Sequence, residues 1–124
     1  MADTISDFFQ ELGERGHQPL LSHMQGAVRF DVRDDDGQVD QWFVAVDRGA
    51  VTVTHGHAEA DCAIGGDRAL LERLINGEEN AIAAVLRGAL RVSGDVEMLL
   101  TIQRIFPGPP SSQRTTVGQQ GGSR

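Results

Sequence analysis

The chain has 124 residues, 40% of them hydrophobic, enough for one domain with its own core. Its net charge is -7 and its pI about 4.9, and all eleven basic residues are arginine. A field of that sign repels phosphate backbones, so a nucleic-acid partner is not expected, and contact with an anionic membrane is at most transient. Apolar runs are too short to span a bilayer, and MADTISDFF lacks the basic and apolar regions of a signal peptide. With one cysteine, Cys62, no internal disulfide forms, and a cytoplasmic setting is expected.

In chain order, Asp3–Glu14 carries Ile5, Phe8, Phe9 and Leu12 at helical spacing, with acidic residues near its start. Pro19 sets up a short helical segment with Leu20, Leu21 and Met24 inward. Val28, Phe30 and Val32 then alternate with Arg29, Asp31 and Arg33, which predicts a strand with one dry and one wet face. Asp34–Gly37 is a turn; a second strand runs over Asp40–Asp47 with Trp42, Val44 and Val46 on one face; Arg48-Gly49 turns into a third with Val51 and Val53. Together these form an antiparallel meander.

After the loop His55–Ala60 a short strand, Asp61–Ile64, points Cys62 and Ile64 inward and ends at Gly65-Gly66-Asp67. Asp67 is placed to cap a helix carrying Leu70, Leu71, Leu74 and Ile75, closed by Asn76-Gly77. Asn80 caps the next helix, whose buried face is read as Ile82, Val85 and Leu86. Leu90 and Val92 mark a fifth strand, and Gly94-Asp95 starts a helix with Met98, Leu99, Ile102 and Ile105 on one stripe. Pro107 stops it, and 107–124, rich in Pro, Gly, Ser and Gln, reads as a flexible tail on a domain covering 1–106.

Every strand is apolar on one side only, so helices must cover one face of the sheet. The expected fold is α+β: a five-stranded, mostly antiparallel sheet covered on one face by helices. The stripes are rich in Leu, Ile, Val and Met and poor in aromatics. That patterning serves a filled core and a lined apolar pocket equally well.

Several segments, in this order, resemble the sterol carrier protein 2 lipid-binding domain in its free-standing prokaryotic form. They are Gly26-Ala-Val-Arg-Phe, Trp42-Phe-Val-Ala-Val-Asp with Gly49 and Val51, and Ala60-Asp61-Cys62-Ala-Ile. Leu74-Ile-Asn-Gly-Glu, Gly88-Ala-Leu-Arg-Val-Ser-Gly-Asp95 and the closing Phe106-Pro-Gly-Pro complete the set. The resemblance implies an apolar tunnel between sheet and helices, with no metal and no cofactor. It implies a ligand such as a fatty acid, an acyl-CoA ester, or a sterol-like or isoprenoid molecule. With the one-sided patterning, it places Phe30, Trp42, Val44 and Val53 on the tunnel's sheet side. Phe8, Leu12, Leu71, Leu74, Val85, Met98 and Ile102 stand on its helix side. The chain departs from the family in lacking a basic surface and a peroxisomal ending, which argues against sterol as the ligand.

No catalytic constellation stands out, and a non-enzymatic role is expected. His55-Gly-His57 with Glu59 and Asp61 lacks further ligands at tetrahedral spacing and reads as a solvated loop. Asp34–Gly37 lacks the later ligands of a calcium loop. Cys62 reads as a small buried hydrophobe. Gly65-Gly66-Asp67 precedes a helix, but Asp67 argues against an anion there. Phe43, on the wet face, is either an isolated exposed aromatic or a contact for a second copy or a membrane. Two roles remain: a lipid carrier, or an accessory module presenting substrate to a separately encoded enzyme.

Overall fold

The computed structural model describes residues 4–106, so the tail expected at 107–124 lies outside the described residues. Helix α1 (Thr4–Arg15) leads through a 3-10 turn (Pro19–Leu21) into β1 (Gln25–Arg33), β2 (Val39–Asp47) and β3 (Ala50–His55). Strand β4 (Cys62–Asp67) precedes α2 (Arg68–Ile75) and α3 (Ala81–Leu86). Strand β5 (Arg91–Gly94), α4 (Val96–Ile102) and a final 3-10 turn (Gln103–Ile105) complete the described chain.

The sheet order is β3-β2-β1-β4-β5. The meander β1–β3 is antiparallel, with Phe30 opposite Trp42 and Val44 opposite Val53. Its tight turns are the predicted ones: Gly37 has φ +88°, and Arg48 and Gly49 take φ +50° and +93°, as a two-residue hairpin of right-handed twist requires. β4 runs parallel to β1, and β5 closes the far edge antiparallel to β4. Alternation puts Val28, Phe30, Val32, Trp42, Val44 and Val46 on the covered face, all buried. The opposite face carries Arg29, Asp31, Arg33, Gln41 and Phe43 and has no helix over it among the described residues.

Two motifs of the sequence meet in one knot. Asp61 N–H donates to the Ala27 carbonyl (3.0 Å), and the Asp61 carboxylate accepts from Ala27 N–H (2.9 Å). The Asp61 carbonyl accepts from Asp95 N–H at 2.9 Å. Gly94 passes so close that a Cβ there would sit 2.3 Å from that same carbonyl, and its φ is +87°. Only glycine fits. Asp95 then caps α4, its carboxylate accepting from Glu97 N–H at 3.0 Å.

The elements differ from expectation in four places. Gly65-Gly66 does not end β4 but continues it, paired to Asp31 and Val32 of β1. Glycine at 66 lets α2 close on the sheet: a Cβ there would lie 3.2 Å from Leu70, Leu71 and Leu90 side chains. Asp67 stands at the N-cap of α2 but makes no side-chain cap bond. α3 buries Ala81 and Ala84; Ile82 and Val85 are half-buried, and Leu86 is 82% exposed. Small side chains allow close approach, so the alanine face of this short helix is the one that packs. Leu20 is half exposed, because the 3-10 turn directs only Leu21 inward.

Candidate functional site

The apolar layer between sheet and helices is organised by aromatic rings. Phe106, after α4, stacks on Phe8 of α1 (centroids 5.4 Å apart, planes at 18°). Phe8 meets Phe9 edge-on at 5.3 Å. Phe9 touches Phe30 at 5.0 Å and stacks on Trp42 at 5.2 Å and 16°. Trp42 is covered on its other side by the His55 imidazole, at 4.1 Å and 11°. Four of the five phenylalanines and the sole tryptophan thus join helix α1 to the β3 edge. Offset and edge-on ring pairs at these separations each contribute about 0.5–1.5 kcal/mol beyond simple burial.

One polar atom in this layer has no partner. The indole Nε1 of Trp42 is buried and makes no hydrogen bond. A buried donor left unpaired costs about 1–3 kcal/mol, and buried tryptophans usually place this group on an acceptor. Trp42 also lines a groove of about 410 Å³ between α1 and β3, with Phe9, Gln10, Gly13, Glu14, Val51, Thr52 and Val53. At its floor α1 lies almost on β3: a Cβ on Gly13 would stand 3.2 Å from the Val53 Cβ. The groove mixes apolar side chains with Gln10, Glu14 and Thr52, beside an indole that lacks an acceptor.

The residues expected to line a tunnel all belong to this layer. Phe30, Val44, Leu71, Leu74 and Ile102 are at most 1% exposed, with Leu12 and Trp42 nearly as buried. Phe8, Val53, Val85 and Met98 pack half-buried around them. Trp42 and Val53 meet at the α1–β3 groove, and Phe8 and Leu12 line a recess of about 60 Å³ beside Ile105. Met98 lines neither recess; its Cε stands over the Gly26 Cα, 2.2 Å from where a Cβ would be. The sequence reading left out Phe9, the ring touching Phe8, Phe30 and Trp42, and His55, which covers Trp42. Phe9 was visible as the middle of the Ile5, Phe9, Leu12 stripe. His55 follows Val51 and Val53 in the same alternation and pairs opposite Trp42, but a strand ending at Thr54 leaves it in the loop.

The remaining polar groups hold loops in place. His55 Nε2 pairs with Asp40, whose carboxylate lies 3.9 Å from Arg68, and Arg68 binds Asp34 at 2.5 Å. His57 Nδ1 meets the Gln41 side-chain oxygen at 3.1 Å, and Arg29 donates to the Ala58 carbonyl at 3.3 Å. Among the described residues no three His, Cys, Asp or Glu side chains gather to hold a metal. Cys62 is buried; burial pushes its thiol pKa up, and the charges of Asp95 and Asp61 push the same way. Such a thiol stays protonated and is a poor nucleophile. Among the described residues no helix is long and apolar enough to cross a membrane.

The profile of the SCP-2 sterol transfer family matches residues 8–107. The chain belongs to that family. No curated protein matches it. Several solved structures share its fold. Sterol carrier protein 2 from Yarrowia lipolytica, in its apo form, superposes with a TM-score of 0.65 at 21% identity, over 82% of this chain and 85% of that one. A possible sterol carrier protein from Thermus thermophilus gives 0.64 at 20% identity, over 90% and 94%. Sterol carrier protein 2 from Aedes aegypti, in complex with the C16 fatty acid palmitate, gives 0.67 at 14% identity, over 84% and 94%.

Proposed function

We propose that this protein is a lipid carrier that takes up one apolar chain between its sheet and its helices. Membership of the sterol transfer family carries this reading. The ligand class is a linear amphiphile such as a fatty acid, as in the palmitate complex of the Aedes relative. The layer Phe30, Val44, Leu71, Leu74 and Ile102 would receive the hydrocarbon, at about 0.8 kcal/mol gained per buried methylene. These side chains are packed against one another, so uptake requires a layer to move. Helix α1 is the element to move: it stands at the β3 edge, beside a groove, and rests on Ile5, Phe9 and Leu12. The polar end of the ligand would accept a hydrogen bond from Trp42 Nε1.

The test is native mass spectrometry of the purified protein, followed by titration of the delipidated protein with palmitate. Trp42 is the only tryptophan, so its emission reports on the layer directly. A co-purifying lipid and a saturable emission change are expected. No bound lipid and no response to fatty acids would overturn the carrier reading in favour of an accessory module for a separate enzyme.

A further inference from the structure

The uncovered face of the sheet has a feature that lipid carriage does not use. Along β4, Ala63 and Gly65 present almost no side chain to that face. Their register partners on β1 are Arg29 and Asp31, with Arg33 one step further along opposite Asp67; those on β5 are Ser93 and Arg91. Two inter-strand spacings separate these walls, about 10 Å. The result is a trough of about 560 Å³, which the side chain of Val39 enters from β2.

Gly65 is the informative residue. Its backbone does not adopt the positive φ that calls for glycine. A Cβ there would meet only Asp31, at 3.6 and 3.7 Å, which is ordinary contact. Neither conformation nor packing requires glycine, and glycine inside a strand weakens it. What glycine does here is keep the trough open. At position 66, by contrast, packing against α2 accounts for the residue.

The charge of the trough opposes that of the chain. It holds three guanidinium groups to one carboxylate, on a protein of net charge -7. Asp31 is already neutralised: Arg29 binds both its oxygens, at 2.9 and 3.2 Å, and Gln41 donates to it at 2.9 Å. Arg33 and Arg91 have no acidic partner among the described residues and stand on opposite walls. Paired guanidiniums across an open floor suit a tetrahedral dianion, which offers each a two-point contact. Val39, 55% exposed, and Val92 add apolar surface for an organic body.

We propose that this trough is a second ligand site, taking the phosphate group of a soluble small molecule between Arg33 and Arg91. It lies on the face of the sheet away from the helices, so its ligand is not the head of a lipid held in the interior. The occupant is assigned as soluble because a trough fits a small molecule, whereas the acidic protein as a whole is repelled by an anionic bilayer.

The test is a ¹H–¹⁵N NMR titration of the full chain with inorganic pyrophosphate at constant ionic strength. Saturable shifts are expected at Ala63, Gly65, Arg91 and Ser93 but not around Trp42. Arg33→Ala and Arg91→Ala should each weaken binding about tenfold. Gly65→Leu should abolish it while unfolding in urea no earlier than the wild type. If Gly65→Leu misfolds, the arginine variants decide. No saturable shift at millimolar pyrophosphate, or equal binding by the arginine variants, would overturn the proposal. So would a trough that responds to phosphatidylglycerol vesicles and not to pyrophosphate, since the face would then be a membrane contact. Palmitate binding should be unchanged in all these variants, so the two sites can fail independently.

Discussion

Trp42→Phe separates the two roles an indole can play in this layer. As packing, the change removes a few tens of Å² of apolar surface and leaves a small void. At about 25 cal/mol per Å² and 24 cal/mol per Å³ this costs roughly 2 kcal/mol. Against it stands the relief of the unpartnered Nε1 donor, about 1–3 kcal/mol. The two nearly cancel, so the lipid-free variant should unfold in urea within about 1 kcal/mol of the wild type. Binding should behave otherwise. If the donor is satisfied by a ligand carboxylate, a charge-assisted bond contributing about 1.5–3 kcal/mol is lost, and fatty-acid affinity should fall about 10- to 100-fold. Displacement of a fluorescent fatty acid measures this without relying on the missing tryptophan. A variant destabilised by more than about 3 kcal/mol that binds normally would refute the reasoning, because the indole would then be packing and nothing else.

Two further outcomes test the scaffold. Gly94→Ala forces a side chain to φ +87° and to 2.3 Å from the Asp61 carbonyl, so it should cost at least about 2 kcal/mol in urea unfolding; a neutral effect would mean that the knot of Asp61, Ala27 and Asp95 is loose. The Cys62 thiol, buried with its pKa raised, should resist Ellman's reagent in the native protein and react once unfolded, whereas rapid native reaction would reveal that β4 opens.

The meander was legible because its signals are local. Alternation of Val28, Phe30 and Val32 against Arg29, Asp31 and Arg33 fixes which face is dry, and the structure buries those three residues completely. Asn80 and Asp95 cap their helices as their side chains predict, at 3.0 Å each. What failed depends on neighbours far along the chain. Gly65-Gly66 looks like a turn, yet pairing of both to β1, and of Gly65 to β5 as well, holds it in a strand. The α3 face was misread because hydrophobicity favoured Leu86, while the close approach of the helix selected Ala81 and Ala84. Asp67 reached the cap position without making the bond, since a preference for a position does not fix a side-chain rotamer.

Part of what makes the chain resemble its family lies away from the residues expected to hold its ligand. Asp61, Gly94 and Asp95 are held by a close backbone approach and by three hydrogen bonds of 2.9–3.0 Å, and the approach leaves room only for glycine at position 94. The apolar layer obeys a weaker rule: its positions need to be hydrophobic and of roughly the right size. Sequence therefore identifies the scaffold sharply and the ligand poorly. Residues that break the weaker rule carry more information about binding. Trp42 places a polar donor where an apolar side chain would pack without penalty, and Gly65 leaves empty a strand position that a larger residue would stabilise. Each is a local cost with no compensation inside the described chain, on opposite faces of one sheet. The two proposed sites, one in the interior and one on the open face, would account for both.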